Sequence, residues 1–152
     1  MKRVMTTRIF TLLYSPEPII PAVAQRYLTS RYNPLRPKLQ HLYDNRDPNT
    51  LWWRLATRPI LDRKRVVRSW CSRRIRIAFI RALKNQGYDR DGRKIADFPQ
   101  KGDPRGKPGI VGSATLLVFP EIQKESMAHV QQDVSRAVAA MIKAAKKYDQ
   151  LR

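Results

Sequence analysis

Residues 62–86 carry the sequence DRKRVVRSWCSRRIRIAFIRALKNQ, which gives the clearest structural signal in the chain. Six of its apolar side chains recur at intervals of three and four residues, as on one face of a helix. They are Val67, Cys71, Ile75, Ala78, Phe79 and Ala82. Asp62 is the predicted N-cap, and Gly87 is the predicted C-terminal stop. The pattern predicts one amphipathic helix over residues 62–86.

The other side of this predicted helix is basic. Nine Lys or Arg residues and no acid lie between Arg63 and Lys84. They are Arg63, Lys64, Arg65, Arg68, Arg73, Arg74, Arg76, Arg81 and Lys84. Their mutual repulsion and the cations in the first turn, which oppose the helix dipole, both cost stability. We therefore expect these residues to bind phosphate groups, for which arginine is well suited; the alternative is a solvated cationic face.

A second helix and a strand follow toward the C-terminus. Residues 126–148 place apolar side chains at alternating steps of three and four, a heptad-like seam. The seam consists of Met127, Val130, Val134, Ala137, Met141, Ala145 and Tyr148. It is predicted to be core or a docking face for another helix. Residues 114–119 form a short apolar run that ends at Pro120, which predicts a buried strand.

The first sixty residues are interrupted by proline. Seven of the eleven prolines lie before residue 60, a spacing that prevents long helices. We expect an extended basic arm over residues 1–60, with one short helix around residues 22–31. Residues 61–152 are then a small α+β RNA-binding domain, with two main helices packed on a short strand or hairpin and a long Gly-rich basic loop.

That loop and the overall charge support binding to a polyanion. The 152 residues carry a formal net charge of +19, and phosphate backbones are the commonest partners of such chains. All six glycines lie between residues 87 and 112. The loop cations Arg93, Lys94, Lys101, Arg105 and Lys107 are predicted to contact RNA, although a flexible surface loop is the simpler interpretation.

Three aromatic residues have basic surroundings. Trp52, Trp53 and Tyr88 are candidates for stacking on the bases of single-stranded RNA. Such residues serve more often as core anchors, and we favour that interpretation.

Enzymatic signatures are weak in this sequence. The single cysteine, Cys71, has no neighbouring histidine, so a nucleophile with its base is not indicated. Asp89 and Asp91 lack the later acids of a calcium loop, and a turn at Gly92 explains them more simply. No phosphate-binding glycine motif is present. We predict no catalysis, no metal, no cofactor and no small-molecule substrate.

Targeting signals are limited to the N-terminus. No apolar run reaches the 18 or so residues of a transmembrane span. Up to Tyr43 there are seven basic residues and one acid, Glu17, which has some character of an organelle transit segment. A basic arm or an edge strand explains the same residues equally well.

In general character the chain resembles a mitochondrial ribosomal protein of the fungal type. The resemblance lies in the acid-poor start through Tyr43, the proline-broken arm, the Arg-rich helix and the glycine-basic loop. It implies a structural subunit or assembly factor in the mitochondrial matrix that contacts rRNA and neighbouring ribosomal proteins. It matches no family motif, so no functional residue is transferred.

Two other classes of function remain open. A small basic adaptor in the cytoplasm or nucleus would bind a protein helix through the seam over residues 127–148, with its charge serving targeting or an anionic membrane. A DNA-binding module is also possible, although no helix-turn-helix signature is present.

Overall fold

The computed structural model describes residues 1–95 and 109–150, which form a small α+β domain around a four-stranded mixed sheet. The strands are β1 (Lys2–Thr6), β2 (Phe10–Ser15), β3 (Leu51–Ala56) and β4 (Gly112–Val118). Their order is β1-β2-β4-β3. Antiparallel pairing joins β1 to β2 and β2 to β4, whereas β3 runs parallel to β4. The two central strands are therefore β2 and β4.

Four α-helices occur in the described residues. They are α1 (Ala22–Thr29), α2 (Arg36–Asp44), α3 (Arg65–Asn85) and α4 (Met127–Gln150). The chain also forms short 3₁₀ turns at Arg58–Ile60 and Pro120–Gln123. Because α3 links the parallel strands β3 and β4, these three elements form a βαβ unit. The helices α3 and α4 pack against each other beside the sheet.

The core lies between this helix pair and one face of the sheet. Phe10, Leu12 and Leu116 project from the central strands and are fully buried. Ile75 and Phe79 of α3 belong to the same buried cluster, together with residues of α4. The predicted apolar face of α3 is thereby confirmed, with Val67 only partly buried.

The C-terminal end of α3 has the geometry predicted from Gly87. This residue has φ 81°, in the left-handed region that glycine adopts without strain. Its N–H donates to the Lys84 carbonyl at 2.9 Å, and the Tyr88 N–H donates to the Leu83 carbonyl at 3.0 Å. This pair of bonds is the Schellman motif, which satisfies two of the last carbonyls of the helix.

The predicted cap at the other end of α3 is wrong. The helix begins at Arg65, its N-cap residue is Lys64, and no side chain caps it. Asp62 lies too early in the chain and forms an ion pair with Arg63 at 3.6 Å. The first turn of α3 therefore keeps its exposed N–H groups and carries positive charge beside them.

The C-terminal helix α4 confirms the core interpretation of the seam. Ser126 precedes the helix and its Oγ accepts a hydrogen bond from the His129 N–H at 3.3 Å. Val130, Val134, Ala137 and Met141 are buried in the main core. The seam therefore packs within this chain and is covered by its own core.

The prediction of an extended arm is wrong for much of residues 1–60. Both β1 and β2 lie in the sheet, as does β3. Phe10, Leu12 and Tyr14 alternate along β2 and point into the core, a period-two pattern that the surrounding prolines obscured. The predicted short helix is present as α1, and the predicted strand is present as β4.

None of the helices in residues 1–95 and 109–150 combines the length and apolar character needed to cross a lipid bilayer.

The position of β2 can be tested with two adjacent leucines. Leu12 is fully buried, whereas Leu13 faces the opposite side of the sheet and is only partly buried. We expect Leu12→Ala to lower the free energy of unfolding by about 2–5 kcal/mol because it leaves a cavity in the core. Leu13→Ala should cost less than half as much. Urea denaturation of both variants measures the difference; equally small losses would restore the arm interpretation.

Candidate nucleic-acid interface

One flank of α3 borders an open groove of about 460 Å³, which we call the arginine groove. Its walls are formed by Thr57, Arg65, Arg68, Ser69, Ser72, Arg73 and Arg76. Steps of three and four residues bring Arg65, Ser69, Ser72 and Arg76 onto one side of the helix. Thr57 completes the groove from the segment that follows β3. The groove thus gathers four of the nine predicted phosphate ligands of residues 63–84.

No carboxylate of the described residues neutralises the arginine groove. The ion pairs within residues 1–95 and 109–150 involve Asp62, Asp47, Glu125 and Asp133, and none of these carboxylates pairs with Arg65, Arg68, Arg73 or Arg76. Clustered guanidinium groups without counter-charges create a strongly positive local potential. The four arginines of the groove therefore carry charge that no described carboxylate pairs with.

Arg68 lines the groove and is its most buried arginine. Its Nε–H is buried and has no hydrogen-bond partner in the described part of the chain. The hydroxyl groups of Ser69, Ser72 and Thr57 supply further donors to the same space.

Arg74 has a different role from its neighbours. Its Nη1 donates to the Ile122 carbonyl at 2.7 Å, and its Nη2 donates to the Glu125 carbonyl at 2.6 Å. Its guanidinium also lies 4.5 Å from the centre of the Trp70 ring. Arg74 thereby fixes the segment before α4 to α3. The structure separates Arg74 from the arginine groove, although the sequence pattern grouped them.

The remaining predicted cations lie in several places. Arg81 and Lys84 are exposed on α3, outside the groove, and Lys64 is the N-cap residue. Arg63 pairs with Asp62, and Arg93 pairs with Asp47 at 3.0 Å. The backbone of Lys94 pairs with that of Tyr88 in an isolated antiparallel β-bridge. The predictions for Lys101, Arg105 and Lys107 fall outside the described residues.

The first part of the predicted glycine loop is a folded turn. The Gly92 N–H donates to the Asp89 carbonyl at 3.0 Å, and Gly92 has φ 76°, as the turn interpretation required. Leu51 donates to the Asp91 carbonyl at 2.9 Å, and Ile110 donates to the Gly92 carbonyl at 2.7 Å. These bonds tie the turn to the starts of β3 and β4. Residues 87–95 therefore belong to the domain and not to a free loop.

The three predicted stacking residues have separate environments. Tyr88 is 4% exposed, which removes its ring from the stacking candidates. Trp53 packs on Phe79 at 4.8 Å between ring centres, and its Nε1 donates to the Arg90 carbonyl. Trp52 lies on the opposite face of the sheet, where the Arg46 guanidinium is 4.6 Å from its ring centre. Trp52 and Trp53 are both partly exposed, and the Trp52 ring also lies 5.9 Å from that of Tyr43.

The one cysteine, Cys71, lies buried in the core. Burial raises the pKa of its thiol, which disfavours the thiolate. Within residues 1–95 and 109–150, no group of three or more His, Cys, Asp or Glu side chains is placed to hold a metal.

Sequence reasoning missed Arg46, Arg54 and Thr57. Arg46 and Arg54 surround Trp52, and Thr57 lines the arginine groove. The alternation in β3 places Trp52 and Arg54 on one face of the strand and is the sequence signal for Arg54. Arg46 and Thr57 lie outside the strand and have no such signal.

No family model, curated protein or solved structure is significantly similar to this chain.

Because Arg74 is bonded within the protein and Arg73 is exposed, replacing each of them should change the free energy of unfolding by different amounts. Arg74→Ala should lower the free energy of unfolding by about 2–3 kcal/mol, because it removes two charge-assisted hydrogen bonds and leaves two carbonyls without their donors. Arg73→Ala should change it by less than about 0.5 kcal/mol, since Arg73 is exposed and makes no such contact. Thermal and urea denaturation measure both; equal stabilities would show that Arg74 is not a structural link.

Proposed function

We propose that this chain is an RNA-binding structural component of a ribonucleoprotein, a mitochondrial ribosomal subunit protein that contacts rRNA. The observation that carries the proposal is the arginine groove, in which four arginines lack counter-charges among the described residues. A phosphate backbone supplies repeated anions with the oxygen geometry that guanidinium groups bind in pairs.

The length of the groove suits a nucleic-acid strand. Arg65 and Arg76 are eleven positions apart on α3, which corresponds to about 16 Å along the helix axis. That distance spans several successive phosphates of one strand. Arg81 and Lys84 extend the basic surface toward the end of α3. The cations Lys101, Arg105 and Lys107 are proposed to add contacts through the glycine-rich segment.

A structural role in the mitochondrial matrix accounts for further features. The net charge of +19 is much larger than an isolated soluble domain needs. The negative charge of surrounding rRNA would compensate this positive charge within a ribosome. Because β2 is a central strand, an N-terminal targeting signal is compatible with this fold only if any cleavage leaves β2 in place.

The adaptor alternative loses its main support. The seam that would bind a partner helix is buried against the core of this chain. A DNA partner shares the phosphate chemistry and is distinguished by the experiments below.

The arginine groove can be tested by neutralising three of its residues. The variant Arg65→Gln, Arg73→Gln, Arg76→Gln should weaken binding to structured RNA by about tenfold or more, since each loses a phosphate contact. The control is Lys143→Gln, Lys146→Gln, Lys147→Gln, which removes the same charge from exposed positions on α4. The control should bind nearly as the parent does. Equal weakening in both variants would mean that only net charge matters.

Salt dependence adds a second measurement. With about six phosphates engaged, log affinity of the parent should fall with log salt at a slope of about −4 to −5. The groove variant should flatten that slope by about 2–3. A slope near zero in the parent would contradict an electrostatic interface. The same titration with duplex DNA of matched length decides between the two nucleic acids.

The ribosomal assignment predicts co-sedimentation. Tagged protein from an organelle lysate should migrate with a ribosomal subunit on a sucrose gradient, and RNase or high salt should release it. The groove variant should shift toward the top of the gradient, whereas the α4 control should not. Migration of the parent at the top, unchanged by RNase, would contradict the proposal.

A further inference from the structure

A second cavity lies on the face of the sheet opposite to α3. It has a volume of about 250 Å³ and is enclosed by α1, the segment that leads into it, and strands β3 and β4. We call it the sheet pocket. Its walls include Ile19, Ala22, Arg46, Trp52, Arg54 and Thr115. None of the predicted phosphate ligands contributes to it.

The position of the opposing wall is fixed by one hydrogen bond. The Ile19 N–H donates to the Ser113 Oγ of β4 at 2.6 Å. This bond holds the segment that enters α1 across the sheet face. The pocket therefore has one aliphatic wall, from Ile19, Ile20 and Ala22, facing the strands.

The polar part of the pocket is cationic. Arg54 donates from Nε to the Thr115 Oγ1 at 3.2 Å, which orients the guanidinium. Its Nη groups have no partner among residues 1–95 and 109–150, and no Asp or Glu lines the pocket. An oriented guanidinium with two free nitrogen atoms is suited to a phosphate.

The aromatic part of the pocket is Trp52. Its Nε1 donates to the Asp47 carbonyl at 3.0 Å, which fixes the indole. The exposed Arg46 side chain lies over the ring, 4.6 Å from its centre, and forms no side-chain hydrogen bond or ion pair in the described residues. The Tyr43 ring lies 5.9 Å from the same indole. A nucleobase can take the place of this guanidinium on the ring and leave Arg46 free to meet the phosphate.

We propose that the sheet pocket binds one nucleotide, with the base on Trp52 and the phosphate between Arg46 and Arg54. The pocket volume of about 250 Å³ lies below the range of about 300–1,000 Å³ for small-ligand sites, so it does not have room for more than one nucleotide. The inference rests on the proposed function, because an unpaired nucleotide of the bound RNA is the natural source.

The two sites are close enough for one RNA to occupy both. Arg54 of the sheet pocket and Thr57 of the arginine groove are three residues apart at the end of β3, about 10 Å along an extended chain. As β3 is an edge strand, no other strand separates the two. An RNA held in the groove can pass around this edge and place one unpaired nucleotide in the pocket.

The first test uses adenosine monophosphate and the full chain. Binding should quench the fluorescence of Trp52 in a Trp53→Phe, Trp70→Phe background, and Arg54→Gln or Arg46→Gln should weaken binding at least fivefold. Arg31→Gln, an exposed arginine outside both sites, is the matched charge control and should bind as the parent does. Adenosine alone and inorganic phosphate alone should each bind more weakly than the nucleotide.

The second test identifies the source of the nucleotide. RNA oligonucleotides with one unpaired 4-thiouridine are cross-linked to the protein, and the attached peptide is identified by mass spectrometry. A cross-link on the peptide that contains Trp52, lost in Arg46→Gln, supports a nucleotide within RNA. Binding of free adenosine monophosphate without this cross-link supports a soluble mononucleotide. Both outcomes uphold the pocket.

Absence of both signals overturns the pocket proposal. Circular dichroism and melting of Arg46→Gln and Arg54→Gln show whether each variant is folded; Arg46 is exposed, so at least this variant should be intact. If RNA still binds and depends on the arginine groove, the proposed function stands while the sheet pocket fails. If RNA does not bind at all, the proposed function fails. The titration with adenosine monophosphate then tests the pocket independently.

Discussion

The burial of one stripe of α3 is the constraint on which the rest of this structure depends. Cys71, Ile75 and Phe79 are fully enclosed between the sheet and α4. A helix anchored by such a stripe has a fixed rotation about its axis, because turning it would expose the core. The arginines on the neighbouring flank are held in place by the same contacts. The core thus fixes the positions from which the arginine side chains of the groove extend.

Charge is used in two ways on this helix. Arg74 donates hydrogen bonds within the protein, to the carbonyls of Ile122 and Glu125. The arginines of the groove make no ion pair with the described carboxylates. This division explains how a chain with so few acids folds around a basic helix: one arginine stabilises the fold, and the others remain exposed to a partner. The uncapped first turn of α3 adds unpaired N–H groups to the same positive end.

The sequence predicted the long elements well and the short ones poorly. α3 and α4 repeat their apolar pattern over more than twenty residues, so local periodicity was sufficient. The strands β1, β2 and β3 have only five or six residues each, and both β2 and β3 pair with β4, which is distant in sequence. For the site, the sequence identified the basic helix but could not tell neutralised cations from free ones. Arg93 meets Asp47 across 46 positions, and Arg74 bonds to carbonyls that no side-chain pattern reveals.

The sheet order has a consequence for how this protein matures. β4 is the last strand in the chain, yet it lies between β2 and β3. Until residue 118 has emerged, the hairpin of β1 and β2 has no sheet to join, and β3 has no neighbour. Contacts such as that between the Tyr14 hydroxyl and the Val111 carbonyl close a span of 97 residues. Such long-range pairing is slow and leaves apolar strands exposed. During synthesis, most of the Lys and Arg residues, including all of those on α3, are therefore present before the core can close.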